Sequence, residues 1–262
     1  MSIPAEAINF PLALLSFGVG LLIGLTSIGG AALMTPILIL VVGVRPILAV
    51  GTDLAYTSIT KVMGAYAHWR QGTADVRLAM RLAATSVPMG LLGVWALDQI
   101  RKAGYDADVT LRKTLGCFLI LAAAILIFRM LWNRPIDYHN PKGVWLRRWG
   151  APIWAGFTGF SVGFTSVGSG SLLAPYLLLV YPQSTARLIG TDVLHAALLV
   201  TATAGVHLYK GHVNWVMMPM LLLGSIPGVL LGSFLSPRMP VRALRLGLAA
   251  LLVFSGYKLL GM

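Results

Sequence analysis

Acidic side chains are scarce in this chain: eight Asp and Glu stand among 262 residues, and charged residues of both signs make up only 11%. A soluble domain carries about a quarter charged residues, so a water-facing globular surface cannot be assembled from this composition. A single cysteine, Cys117, excludes an internal disulfide, a cysteine-based zinc cluster and a CxxC redox pair. It reads as a small apolar residue within a span. The first ten residues hold no Lys or Arg, so the apolar run that follows lacks the positive flank of a cleavable signal and reads as a first membrane segment. Neither HxxxH nor HExxH occurs, and no metal ligand set is expected.

What is abundant points to a bilayer. Apolar residues make up 57% of the chain and mean hydropathy is +0.82. The net charge of +12 would raise nucleic acid as a partner of a soluble protein, but no basic stretch here is interleaved with stacking aromatics. It fits loops that face anionic lipid. The expected partners are therefore membrane lipid and a small solute, with no nucleic acid.

The chain also repeats itself. Displaced by about 139 positions, Gly24-Leu25-Thr26-Ser27-Ile28-Gly29 falls on Gly163-Phe164-Thr165-Ser166-Val167-Gly168, and Gly51-Thr52-Asp53 falls on Gly190-Thr191-Asp192. Pro36, His68, Gly72, Ser86, Pro88 and Gly93 meet identical residues, and roughly 21 of 70 positions agree without a gap. The expected organisation is a first transmembrane repeat over 1–132, a basic loop over 133–149 and a second transmembrane repeat over 150–262. A period this long in so apolar a chain suggests the two halves of a transporter.

Apolar segments fall at about 10–28, 31–42, 47–69, 75–98 and 110–131, and again at about 150–168, 170–181, 186–209, 214–235 and 241–260. The expected fold is an all-α polytopic membrane protein. The second segment of each half has about 12 residues and rises about 18 Å, too little for a hydrocarbon core about 30 Å thick. If each half opens with a hairpin that returns to its own side, three crossings follow and the halves are inverted. Basic residues then divide roughly twelve to seven between the faces; a single discontinuous crossing would give parallel repeats and roughly ten to nine. The first division is the better positive-inside pattern, with both termini periplasmic or extracellular.

Each hairpin sets small hydroxyl residues and glycine where one helix stops and another begins. In the first these are Thr26, Ser27, Gly29 and Gly30; in the second, Thr165, Ser166, Gly168 and Ser169. A helix start presents free N–H groups and a positive dipole end, which suits an anion. Irregular backbone at membrane depth is tolerated only when buried or lining a wet cavity, so paired breaks point to a substrate site. Close helix packing is the other reading of such small residues.

Asp53 and Asp192 follow their Gly-Thr pairs at the start of long apolar segments. They read either as helix caps or as proton carriers, and neither holds an anion unless protonated or paired. Lys61 stands near the middle of a span opposite Val200, where an ammonium needs an anion, a carboxylate such as Asp53, or a polar cavity. His195, opposite Tyr56, reads as a buried neutral imidazole or a proton carrier. His68 and His207 are expected to meet carbonyls at helix ends.

The segments GLTSIGGAALMTPIL and VGTDLAYTSITKVMGAYAHWRQG, with their echoes GFTSVGSGSLLAPYLLLVY and IGTDVLHAALLVTATAGVHLYKG, resemble the TauE/SafE family of sulfite exporters, the TSUP transporters. The resemblance covers nearly the whole chain. It implies an α-helical carrier of the bacterial inner membrane for sulfite, sulfonates such as sulfoacetate, thiosulfate or related organic anions. The expected substrate-binding residues are those of the two hairpins together with Lys61, with coupling or gating at Asp53, Asp192 and His195. No cofactor, metal or catalytic residue is expected. An anion channel and a non-transporting membrane assembly protein are the other classes.

Overall fold

The structure, a computed structural model, describes residues 9–26, 31–131, 141–235 and 241–262. The described residues are helical, with no strand among them. The first half supplies α1 (Asn9–Thr26), α2 (Ala31–Leu40), α3 (Pro46–Arg70), α4 (Val76–Lys102) and α5 (Ala107–Leu131). A short α6 (Pro141–Trp145) and a π-helical turn over Leu146–Gly150 lead into α7 (Ala151–Thr165), α8 (Leu173–Val180), α9 (Thr185–Tyr209), α10 (Met218–Leu235) and α11 (Val241–Leu260). By length and composition α4, α5 and α9 could each cross a membrane, while α1, α10 and α11 contain shorter apolar stretches. The long α3 falls outside this set because Thr52, Asp53, Thr57, Ser58, Thr60 and Lys61 interrupt its apolar residues.

The equivalent helices α3 and α9 start and stop by local chemistry. Pro46 occupies the first turn of α3, where its missing N–H costs nothing, and the Ser184 hydroxyl accepts from Arg187 N–H at the start of α9. Each ends at a glycine with left-handed φ, Gly72 at +67° and Gly211 at +70°. There Thr73 N–H returns to His68 O and His212 N–H to His207 O. Both helices have 25 residues, or about 37 Å, enough to cross. At ten and eight residues, α2 and α8 cannot cross alone.

Packing follows the duplication. Helix α1 packs on α10, its counterpart α7 packs on α4, α3 packs on α9, and α5 packs on α11. Contacts fix the directions. Gly51 abuts His212, Gly64 abuts Val193 and Gly190 abuts His68, so α3 and α9 run antiparallel. Gly116 abuts Leu260 and Gly256 abuts Ile120, so α5 and α11 do too. By contrast α4 and α7 run parallel, with Gly159 against Ser86 and Gly163 against Gly90, and α1 runs parallel to α10, with Gly224 against Ala13 and Gly232 against Leu21. Asp75 N–H donates to Thr191 Oγ1 at 2.9 Å, and the equivalent Asn214 N–H donates to Thr52 Oγ1 at 2.8 Å. One hydrogen bond is thus made twice, once at each end of the α3/α9 pair.

Candidate functional site

The second hairpin is built on one left-handed residue. Ser166, at φ 67°, ends α7, and Gly168 and Gly170 at φ 138° and 90° carry the chain towards α8. This irregular stretch is wholly buried, so its polar groups need partners. Some are local: Ser161 Oγ donates to Val167 O at 2.6 Å, Thr165 Oγ1 to Ser161 O at 2.9 Å, and Leu172 N–H to Gly168 O at 3.1 Å. The hydroxyls of Ser169 and Ser171 have no partner among the described residues. In the first hairpin, Ser27, Gly29 and Gly30 lie outside the described residues, as does the side chain of Thr26.

Asp53 ties the second hairpin to the first half. Its Oδ2 accepts from Ser166 Oγ and from Thr35 Oγ1 of α2, both at 2.6 Å, while Thr57 Oγ1 lies 3.4 Å from Oδ1. The capping expectation for the two acids does not hold. Asp53 and Asp192 lie two turns inside α3 and α9, because those helices begin at Pro46 and Thr185, upstream of the Gly-Thr-Asp element. It is the preceding threonines, Thr52 and Thr191, that satisfy backbone N–H groups at the following turns. Asp192 is placed like Asp53 but differently surrounded: Ala174 stands where α2 offers Thr35, and Asp192 Oδ1 has no partner among the described residues.

Lys61 projects from α3 and is half-buried. It interacts electrostatically with Asp192 on α9, across the helix pair, without a direct ion pair. The acid in its reach is thus Asp192 rather than Asp53, because the antiparallel crossing brings the first part of α9 beside the second part of α3. His195 is fully buried and Nε2 shares a hydrogen bond of 2.7 Å with Ser86 Oγ on α4; its Nδ1 has no partner among the described residues. His207 Nε2 meets Gly163 O at 3.2 Å, a carbonyl of α7 rather than of its own helix, and His68 Nδ1 meets Thr73 Oγ1 at 2.9 Å.

A cavity of about 240 Å³ lies between α1, α3, α9 and α10. Its polar lining is Tyr56, Thr57, Thr60, Lys61, His68 and Ser225, and Ile23 and Gly24 bring the end of α1 to its wall. Its α3 residues come from the middle and second half of that helix and its α9 residues from the start, so the cavity lies towards the face that carries the α3–α4 turn. Lys61 thus lines it, whereas Thr165, Ser166, Gly168 and Ser169 are not among its lining residues, and Ser166 is tied to α3 through Asp53. Sequence reasoning singled out the mismatch of Tyr56 with His195 but missed Ser225, Thr57 and Thr60 as lining residues. The mismatches between the repeats were the available signal, since Tyr56, Thr57 and Thr60 each face a different residue 139 positions away.

The family model for sulfite exporter TauE/SafE matches residues 12–259 of this chain. A probable membrane transporter protein of Bacillus subtilis (strain 168), YjnA, is 41% identical over 249 residues, which cover 94% of this chain and 98% of that protein. A probable membrane transporter protein of Xylella fastidiosa (strain Temecula1 / ATCC 700964) is 28% identical, with 84% and 82% covered. A second Bacillus subtilis protein, YdhB, also named a probable membrane transporter, is 23% identical over 87% of this chain. No solved structure matches.

Proposed function

The chain belongs to the sulfite exporter TauE/SafE family of membrane transporters, and from that premise we propose that it is a secondary carrier of small anions such as sulfite, sulfonates including sulfoacetate, or thiosulfate. The observation that carries this reading is the half-buried Lys61, with no direct ion pair among the described residues, in the wall of a cavity beside the end of α1. An ammonium at membrane depth needs a counter-charge, and a mobile anion supplies it during each passage. The hairpins Thr26-Ser27-Gly29-Gly30 and Thr165-Ser166-Gly168-Ser169 form the substrate path near the midplane. Gly24, two residues before Thr26, lines the cavity, and Ser166 of the second hairpin is bonded to Asp53 of α3.

Repeats 1–132 and 150–262, joined by 133–149, are inverted in this proposal. The antiparallel α3/α9 and α5/α11 pairs and the hydrogen bond made at both ends of α3/α9 support it. Rocking of one repeat against the other would then give alternating access. Positive-inside counting puts the α3–α4 turn, and with it the cavity, on the cytoplasmic side of an inner membrane, and both termini on the periplasmic side. Asp53, Asp192 and His195 are the groups proposed for proton coupling or gating.

The relatives are named as transporters, and no enzyme activity is proposed. The test is uptake into proteoliposomes. Uptake unchanged in Lys61→Ala and in the double variant Thr26→Ala with Thr165→Ala would remove the assigned path. Uptake indifferent to an imposed pH gradient would remove the coupling.

A further inference from the structure

The cavity has a twin in sequence but not in space. Displacing its lining by 139 positions replaces Thr57 with Ala196, Thr60 with Leu199 and Lys61 with Val200, and it replaces Ile189 and Val193 with Val50 and Leu54. Of these, Val50, Leu54, Leu199 and Val200 belong to one buried apolar cluster, so the equivalent space in the other half is packed shut. Leu199 and Thr203 reach within 2.9 Å of where a Cβ on Gly90 would lie, the position equivalent to Val229 in the cavity wall.

The polar pair that survives the displacement behaves differently on the two sides. Ser86 and His195 satisfy each other at 2.7 Å in the packed half. Their counterparts, Ser225 and Tyr56, both line the cavity, are 1% and 2% exposed, and have hydroxyls without a hydrogen-bond partner among the described residues. Tyr56 Oη lies beside the Asp53 carboxylate and the Thr57 hydroxyl without proper hydrogen-bond geometry to either. Thr35 and Ser166 both donate to Asp53 Oδ2, and the phenol O–H itself makes no hydrogen bond among the described residues. Two buried hydroxyl donors left unsatisfied cost stability unless a ligand or water completes them.

We infer that Tyr56 Oη and Ser225 Oγ, together with the Lys61 ammonium, form a single oxyanion seat in this cavity. Three donors of this kind suit a head with three oxygens on one sulfur, a sulfite or a sulfonate, better than a carboxylate with two oxygens. The seat exists once per chain because its equivalent is closed by Ser86, His195 and the apolar cluster. The inference rests on the carrier reading and specifies its substrate site.

Binding to the purified full chain in detergent tests it, with sulfite, sulfoacetate and acetate as probes and thermal shift and calorimetry as readouts. A hydrogen bond to a charged group is worth about 1.5–3 kcal/mol, so Tyr56→Phe and Ser225→Ala should each weaken sulfite and sulfoacetate binding by about tenfold or more. Melting without ligand should stay near wild type, and acetate should bind more weakly than either sulfur oxyanion throughout. Wild-type affinity in both variants would overturn the seat and leave the carrier reading standing. Failure of the wild type to bind any probe would overturn both.

Discussion

Replacing Gly163 with alanine probes one of the closest backbone approaches among the described residues. A Cβ at this position would lie 1.9 Å from Gly90 O and 2.7 Å from Gly90 C, both backbone atoms. Restoring an ordinary contact of 3.4 Å requires α4 and α7 to part locally by about 1.5 Å. A gap of 0.5–1 Å already forfeits about a quarter to a half of the dispersion energy across a contact, and the neighbouring approaches of Gly159 to Ser86 and Gly93 to Phe160 share the same seam. Overpacking costs about 1–3 kcal/mol, and a rigid backbone obstacle favours the upper end. The better helix propensity of alanine returns about 1 kcal/mol at most. Gly205 in α9 is the internal control: no atom lies within 4 Å of its would-be Cβ, so Gly205→Ala should be neutral or slightly stabilising. Unfolding in mixed detergent, followed by tryptophan fluorescence, should place Gly163→Ala about 2–3 kcal/mol below Gly205→Ala. Equal stability of the two variants would refute the close parallel packing of α4 on α7.

Further outcomes follow from the same geometry. Ser166→Ala removes one of the two short donors to Asp53 while keeping a left-handed residue with a Cβ; Ser166→Gly removes the same donor and relieves the strain, so the glycine variant should unfold about 1 kcal/mol later. In a Cys117→Ser background, single cysteines at Gln71 and Gly211 should react with impermeant reagents from opposite sides of the membrane; labelling from one side would refute the inverted halves. Asp75 caps α4, and although partial burial opposes its charge, Leu78 N–H, Gln183 and Arg187 hold its carboxyl below the usual range. A lowered folded pKa stabilises above the unfolded value near 4 and loses that contribution as pH falls through the folded one. Asp75→Asn should therefore differ from wild type at neutral pH and converge with it in acid, which a pH series of melting curves would show.

The helical segments were legible because runs of apolar residues, interrupted by Gly, Pro and charge, mark membrane helices without help from tertiary contacts. The second hairpin was legible for the same reason: Gly168 and Gly170 adopt backbone that few other residues accept. For Lys61, reasoning along one helix offered Asp53 as an example of an acid to pair with, whereas the antiparallel crossing of α9 sets Asp192 across from it. Reading Asp53 and Asp192 as caps failed on helix boundaries, which Pro46 and Ser184 set two turns earlier. The cavity was invisible to periodicity, since it depends on where two repeats with the same outline differ in side-chain volume. Thr60 and Lys61 against Leu199 and Val200 make that difference, and it decides which half is packed.

Counterflow of labelled sulfite in proteoliposomes tests the carrier reading most directly. Unlabelled sulfite trapped inside should accelerate saturable uptake of label through the wild type, and Lys61→Ala should abolish the acceleration. Flux that rises linearly with concentration and ignores trapped sulfite, or equal counterflow in Lys61→Ala, would contradict an alternating carrier that seats its anion at this lysine.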